Sequence, residues 1–427
     1  MEEKKFAPLV SADNPMKEFT LRTVLLGVVM AVFMAAANAY LGLRAGMTIA
    51  ATYTTAVIGM AVIKALKGTI LEENTARTIG SIGGNVASGA IFTLPAFFIA
   101  GIWQPFFSVG HYLTSTVILI LGGFLGVMYV TITRRILVNN AELPFPESVA
   151  AAEIHKAGQK GASGTGTLLG GMGVGIFFTL LTEFKVIALK WQNLVSLGKG
   201  SILLRGPAMS PAFLGVGYII GPQLAGISFS GGVLAWGLLA PIIAFFRNYG
   251  DLAAVGNWTE EITLVWKNYV RYIAIGGMLT GTFYTLFKMR KSLAQGIARS
   301  FSTLTQRKGP VFLERTDRDI NIKWTLAAMS LISVVVFFIF NGFAKNPGAA
   351  IVAAVMLLIL GFMFAAVSGY LVGLIGVSSN PSSGLTVSVL ITVAFVMILL
   401  GLSGPNGVAA VLAIAAFTCM SVSVSGA

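Results

Sequence analysis

Acidic residues and the usual ligands of metal and redox chemistry are what this sequence has least of. Its 427 residues include 16 Asp and Glu, two histidines and one cysteine, and charged residues of both signs make up only 11%. A water-soluble domain carries about 25% charged residues, so that class is excluded. With Cys419 alone, neither an intrachain disulfide nor a cysteine metal cluster can form. H-E-x-x-H, C-x-x-C and G-x-S-x-G are absent, and the glycine-rich run at 158–175 (GQKGASGTGTLLGGMGVG) lacks the G-K-[ST] ending of a phosphate-binding loop. The chain therefore reads as a non-enzyme, and no cofactor or metal site is expected. Its start, MEEKKFAPLVSADNPMKEF, is polar and charged, and does not read as a cleavable leader.

What the sequence has in quantity is apolar length. Hydrophobic residues are 56% of the chain and the mean hydropathy is +0.84. Many runs reach the roughly 20 residues that cross a bilayer. The expected fold is an all-α polytopic membrane protein with about twelve spans, near 21–43, 45–66, 80–101, 112–133, 164–188, 207–226, 230–246, 266–287, 324–344, 348–371, 383–402 and 404–425. The two shorter pieces at 207–226 and 230–246 could instead form a re-entrant pair. The 50 glycines suit helices that pack closely in lipid.

The net charge of +13 does not point to nucleic acid, because the basic residues fall in loops between apolar spans. If the N-terminus is cytoplasmic, segments 1–22, 64–77, 134–160 and 288–323 lie inside and hold 20 of the 29 Lys and Arg. That asymmetry is the positive-inside pattern and places the protein in the cell membrane with its N-terminus inside. Segment 288–323 is a basic amphipathic connector suited to an anionic cytoplasmic surface. The expected organisation is a cytoplasmic segment 1–20, a first transmembrane repeat 21–287, the connector 288–323, and a partial second repeat 324–427.

The repeat is visible in two stretches. AANAYLGLRAGMTIAATYTTAVIGM (36–60) carries a polar knot of Asn38, Tyr40, Arg44 and Thr48 among glycines. GYLVGLIGVSSNPSSGLTVSVLITVAFVMI (369–398) echoes it, with Gly46, Thr48, Thr54 and Ala56 matching Gly384, Thr386, Thr392 and Ala394 at one offset. Apolar segments broken at matching places in two halves point to a carrier's binding region, since freed backbone groups persist in a membrane only where protein or a cavity satisfies them. Counted as above, the two repeats are inverted; one span more or fewer would make them parallel. The candidate substrate and cavity residues are Asn38, Tyr40, Arg44, Thr48, Asn380, Ser382 and Ser383. Arg44 could grip a substrate carboxylate through two parallel bonds or serve as an interfacial anchor. Buried amides such as Asn38 and Asn85 also commonly bond a neighbouring helix.

The charged candidates for a proton-responsive gate are Glu147, Glu153, His155 and Glu183. The first three lie in AELPFPESVAAAEIHKAG, where Pro144 and Pro146 set an extended turn before a short helix. Glu147 equally suits the helix dipole at that start, and Glu183, close to Lys185, equally suits a snorkelling interfacial charge.

Four blocks are similar to the oligopeptide transporter family, which includes the yellow-stripe metal-chelate carriers. They are NPMKEFTLRTVLLGVVMAVFMAAANAYLGLRAGMTI (14–49), ILEENTARTIGSIGGNVASGAIFTLPAF (70–97), ELPFPESVAAAEIHKAG (142–158) and SPAFLGVGYIIGPQLAGISFSGGVLAW (210–236), with SSNPSSGLT (378–386) resembling a later block. The resemblance implies an all-helical carrier that moves oligopeptides or peptide-like metal chelates, driven by protons. It also implies further helices after the last residue here, so a second repeat cut short is expected. A sodium-coupled amino-acid carrier and a non-transporting membrane fragment are the rivals. Oligomeric state is not legible.

Overall fold

The computed structural model describes residues 8–45, 48–49, 51–138, 143–159, 165–188, 191–197, 200–206, 211–248, 257–274, 276–277, 280, 284, 287, 320–377, 380 and 382–427. Eight of its helical stretches are long and apolar enough to cross a membrane among these residues: Leu21–Arg44, Ile70–Ile99, Val109–Arg134, Ala225–Arg247, Ile322–Ala344, Pro347–Leu374, Ser382–Leu399 and Gly404–Ser425. The protein is a multi-pass, mainly α-helical membrane protein. All but the last four residues of the basic connector lie outside the described residues.

The chain divides into two compact units, one formed by 1–165 with 286–427 and the other by 166–285. The first holds α1 (Leu21–Ala45), α2 (Thr52–Ala65), α3 (Ile70–Ile91), α4 (Leu94–Ile99), α5 (Val109–Val138) and α6 (Pro146–Gln159). The second holds α7 (Thr165–Glu183), β1 (Gln192–Leu197), β2 (Gly200–Arg205), α8 (Pro211–Gly232), α9 (Ala240–Arg247) and α10 (Trp258–Val265). The first unit resumes with α11 (Ile322–Ala344), α12 (Pro347–Ile375), α13 (Ser382–Leu399) and α14 (Gly404–Ser425).

In the first unit, α14 is the axis. Every residue from Ala409 to Ser425 is buried, by contact with α3, α4, α5, α11, α12 and α13. Helix α1 is its opposite. Only 17% of its apolar window is buried, and it presses on α3, where a side chain at Gly83 would run into the Ala31 carbonyl. Small residues let backbones approach this closely. Aromatic contacts tie the core: Phe97 stacks on Trp103 at 4.2 Å, and Phe340 meets Phe417 edge-on at 5.5 Å.

Helix α3 starts ten residues before the span expected at 80–101. The cause is a capping box: the Thr69 hydroxyl accepts from Glu72 N, and the Glu72 carboxylate accepts from Thr69 N, which satisfies two orphan donors at once. The stretch expected to span at 45–66 contains a helix of only 14 residues, α2.

The second unit departs from the helical expectation. Strands Gln192–Leu197 and Gly200–Arg205 pair antiparallel, with Gln192 opposite Arg205. Helix α8, a π-helical segment Val233–Leu239 and α9 make one helical path from Pro211 to Arg247. The pieces expected at 207–226 and 230–246, whether as two spans or as a re-entrant pair, are thereby corrected, since no break falls between them over 211–247.

Candidate functional site

Two breaks in the helices of the first unit create the polar site. One is the link between α1 and α2. Asn38 is buried there, 4% exposed; its Oδ1 accepts from Ile49 N at 2.7 Å and its Nδ2 donates to the Met34 carbonyl at 3.1 Å. The amide therefore holds the link in place, as a membrane-buried polar group requires. The neighbouring Thr48 hydroxyl lies 2.9 Å from the Ser88 hydroxyl of α3.

The other break is the link between α12 and α13. It opens at Gly376, whose φ of +98° suits glycine. A Cβ there would also meet the Glu147 carboxyl at 2.7 Å. Ser368 of α12 donates to Asn380 Oδ1 at 3.1 Å and to the Val422 carbonyl of α14 at 3.0 Å, fixing Asn380 against the axis helix.

The two breaks meet. Thr48, Ile49, Ala51, Gly84, Asn85, Ser88, Val377, Asn380, Ser382 and Ser423 line one cavity of about 30 Å³, large enough for one water. Hydroxyls and amides dominate its lining. Ser423 adds a hydroxyl that is 1% exposed and faces the Cys419 thiol. Polar groups buried in an apolar bundle need partners, and water or a polar guest can complete those of this lining. Three sequence candidates, Thr48, Asn380 and Ser382, line this cavity, and Asn38 supports it from behind. Tyr40 and Arg44 lie elsewhere: both are exposed, with the guanidinium 5.6 Å from the Tyr40 ring. Ser383 is exposed. An open hollow of about 670 Å³ beside α4 is lined by apolar side chains such as Leu43, Ile91, Phe98 and Phe107.

A second group of polar residues lies along α6. Glu147 opens the helix, 7% exposed, against Gly376, and the Phe145 amide donates to the Gly373 carbonyl at 2.8 Å. Two turns on, His155 is 3% exposed. Its Nδ1 stands 3.4 Å from Oε2 of Glu73, a residue of α3 that is 1% exposed. Neither ring nitrogen of His155 nor Glu73 Oε2 makes a hydrogen bond. Burial, and after it the charge of Arg77, pushes the His155 imidazole down to about 4, so the contact is no ion pair at neutral pH. Gln159 Nε2 reaches Glu73 Oε1 at 3.5 Å, and Lys64 donates to the Gly158 carbonyl at 2.9 Å. Glu153 points outward and pairs with Lys156 at 2.8 Å on the exposed face. Glu183 ends α7 in the other unit, and its side chain is outside the described residues. Glu142 is also outside them.

Sequence reasoning missed Glu73, Ser88 and Ser423. The Thr69-Ile-Leu-Glu72 capping signal places Glu73 inside a helix rather than a loop. Nothing local marks Ser423, which sits in an apolar span.

The model of the OPT oligopeptide transporter protein family matches residues 18–427. A Haemophilus influenzae protein named "Putative oligopeptide transporter" is 34% identical over 376 residues, covering 85% of this chain and 58% of that protein. The chain thus spans somewhat more than half the length of that relative. No solved structure matches.

Proposed function

The chain belongs to the oligopeptide transporter family, and from that premise we infer that it takes part in proton-driven secondary transport of oligopeptides or peptide-like metal chelates. The observation that carries this reading is the polar cavity shared by the two broken segments, with Thr48 from one and Asn380 and Ser382 from the other. A neutral polar lining inside an apolar bundle can receive the amide and carbonyl groups of a peptide backbone, or the water that such a group displaces. At its present volume the cavity is the closed floor of a path, and alternating access would widen it by moving the two breaks apart. The division into repeats at 21–287 and 324–427, an N-terminus in the cytoplasm and the connector 288–323 on the same face belong to this reading.

A second reading draws on the same cavity. Its hydroxyls, amide oxygens and one-ion size also suit a dehydrated sodium ion, as in a sodium-coupled amino-acid carrier. One experiment separates the two. The chain is reconstituted in proteoliposomes, and uptake of a labelled tripeptide and of an iron chelate is followed under an imposed pH gradient and, separately, a sodium gradient. Peptide or chelate uptake that collapses with a protonophore, and falls about tenfold or more in Asn380→Ala, supports the proposal. Uptake driven only by sodium supports the rival. Uptake under neither gradient overturns the transport reading for this chain and leaves the non-transporting fragment.

A further inference from the structure

The polar cavity holds no titratable group among its lining residues. Any proton coupled to it must therefore bind elsewhere and act through the packing. Among the described residues of the first unit, the contact between α3 and α6 brings buried acid–base groups together without hydrogen bonds.

We propose that Glu73 and His155 form a single proton-binding site, in which a proton carried on the Glu73 carboxyl is donated to His155 Nδ1 and ties α3 to α6. Three buried atoms, Glu73 Oε2 and the two nitrogens of His155, make no hydrogen bond. A neutral imidazole has one acceptor nitrogen. With Nδ1 as that acceptor, the facing carboxylate offers only a second lone pair at 3.4 Å; with the ring proton on Nδ1 instead, the contact still makes no hydrogen bond. One added proton converts the clash into an O–H···N hydrogen bond. Losing it restores a buried carboxylate whose described partner is the long contact from Gln159.

The surroundings favour this single-proton behaviour. Arg77 on α3 and Lys64 on α2 are the nearby positive charges. Glu72 is taken up by Arg22 of α1, and Glu153 by Lys156 on the outer face of α6. Tyr53 of α2 and Glu147 lie toward the far end of α6, near one another. Helices α4, α12 and α14 contain no Asp, Glu, Lys, Arg or His, and α5 carries His111 at its start and Arg134 and Arg135 near its end. A pair that shares one proton titrates as a unit.

Position gives the site a consequence, one that rests on the transport reading. Helix α6 carries His155 on its last turns and Glu147 on its first, and Glu147 is pressed on Gly376 at the α12–α13 break. The next residue, Val377, lines the polar cavity. A proton gained or lost at Glu73 changes how α6 sits on α3, and α6 passes that change to the break.

The test uses the fact that the chain has only two histidines. Histidine labelled at ring Cε1 is introduced into the full chain in lipid nanodiscs, and the His155 resonance is assigned with His155→Gln. His111, stacked on Trp103 at 5.1 Å, is the internal control. The His155 resonance is expected to move with pH above about pH 4, reporting the shared proton, and to stay flat over the same range in Glu73→Gln. A flat wild-type resonance, or the same movement in Glu73→Gln, overturns the site. Uptake is read in parallel: both Glu73→Gln and His155→Gln should lose dependence on the pH gradient while keeping tripeptide exchange at equilibrium. Gradient dependence kept in both variants overturns the coupling role. Absent uptake in the wild type, with the resonance behaving as expected, would sink the transport reading and leave the proton site standing.

Discussion

Glu72 and Glu73 are neighbours on α3, yet they meet different partners and opposite chemistry. Glu72 is fully satisfied: Oε1 accepts from Arg22 Nε at 2.9 Å and from the Thr20 hydroxyl at 2.6 Å, while Oε2 accepts from Arg22 Nη2 and from the Thr69 amide. Arg22 spends a further N–H on the Leu66 carbonyl at 2.9 Å. This side locks the start of α1 to the start of α3. Glu73, one residue on, faces a neutral imidazole and leaves an oxygen unpaired. Equal burial thus coexists with unequal satisfaction. A carboxylate whose lone pairs are all occupied is a structural fixture, because removing or protonating it breaks several bonds. One whose pairing is incomplete has a protonation state still to choose, and in a membrane protein such a group marks function.

The largest expected effect that sharpens this contrast is acid sensitivity. In Glu73→Gln, which cannot hold the shared proton, the folded protein keeps His155 neutral down to about pH 4, whereas an unfolded histidine takes up its proton near pH 6.5. Between these values the unfolded state binds more protons, so stability is full above the upper value and is lost as the pH falls toward the lower one. The span corresponds to up to about 3 kcal/mol. Thermal unfolding in detergent, recorded for Glu73→Gln and for the double variant Glu73→Gln/His155→Gln across this window, should give a difference curve that slopes downward as the pH falls. A flat difference curve would show that His155 is solvated, and the contrast between the two carboxylates would lose one of its sides.

A smaller loss is expected from breaking the satisfied side. Glu72→Ala removes the capping box and strands the Thr20 and Arg22 donors, at about 2 kcal/mol, with little change in the pH dependence of stability above pH 5. Glu73→Gln, next door and equally buried, should cost less than half of that, because it replaces an unpaired oxygen with a donor that can face the imidazole. Denaturant unfolding of the two variants compares them directly. A larger loss for Glu73→Gln than for Glu72→Ala would reverse the assignment of fixture and proton site.

Much of this fold could be read from composition and hydropathy. The spans near 21–43, 112–133, 324–344, 348–371, 383–402 and 404–425 are matched by long helices, because an apolar run of that length has few other ways to satisfy its backbone in lipid. The echo between 36–60 and 369–398 drew attention to Thr48, Asn380 and Ser382, which line one space. The strand pair Gln192–Leu197 and Gly200–Arg205 was hidden, since a short polar interruption between apolar runs looks like any loop. So was the partnership of Glu73 with His155: two residues 82 positions apart meet only because α6 folds back on α3. Proline-set turns announce where α6 begins, but no local pattern announces what it will lie against. The burial of α14 was equally unreadable, because lipid-facing and protein-facing helices are both apolar, and only small residues at contact points separate them.

The smallest effect concerns how α6 is held against α2 beside the proton site. Lys64 donates from α2 to the Gly158 carbonyl, near the end of α6, at 2.9 Å. The bond ties the end of α6 three residues beyond His155, whereas the pair between Lys156 and Glu153 lies in the open, with side chains 43% and 62% exposed. Exposed pairs of that kind contribute little. Lys64→Met should therefore cost about 1 kcal/mol and speed amide exchange over the last turn of α6 about fivefold, while Lys156→Met leaves both unchanged. If the two lysines prove equivalent, the end of α6 is held by apolar packing such as Gly158 on Met60, and the helix would have to transmit the proton's effect as a rigid body pivoting on that contact.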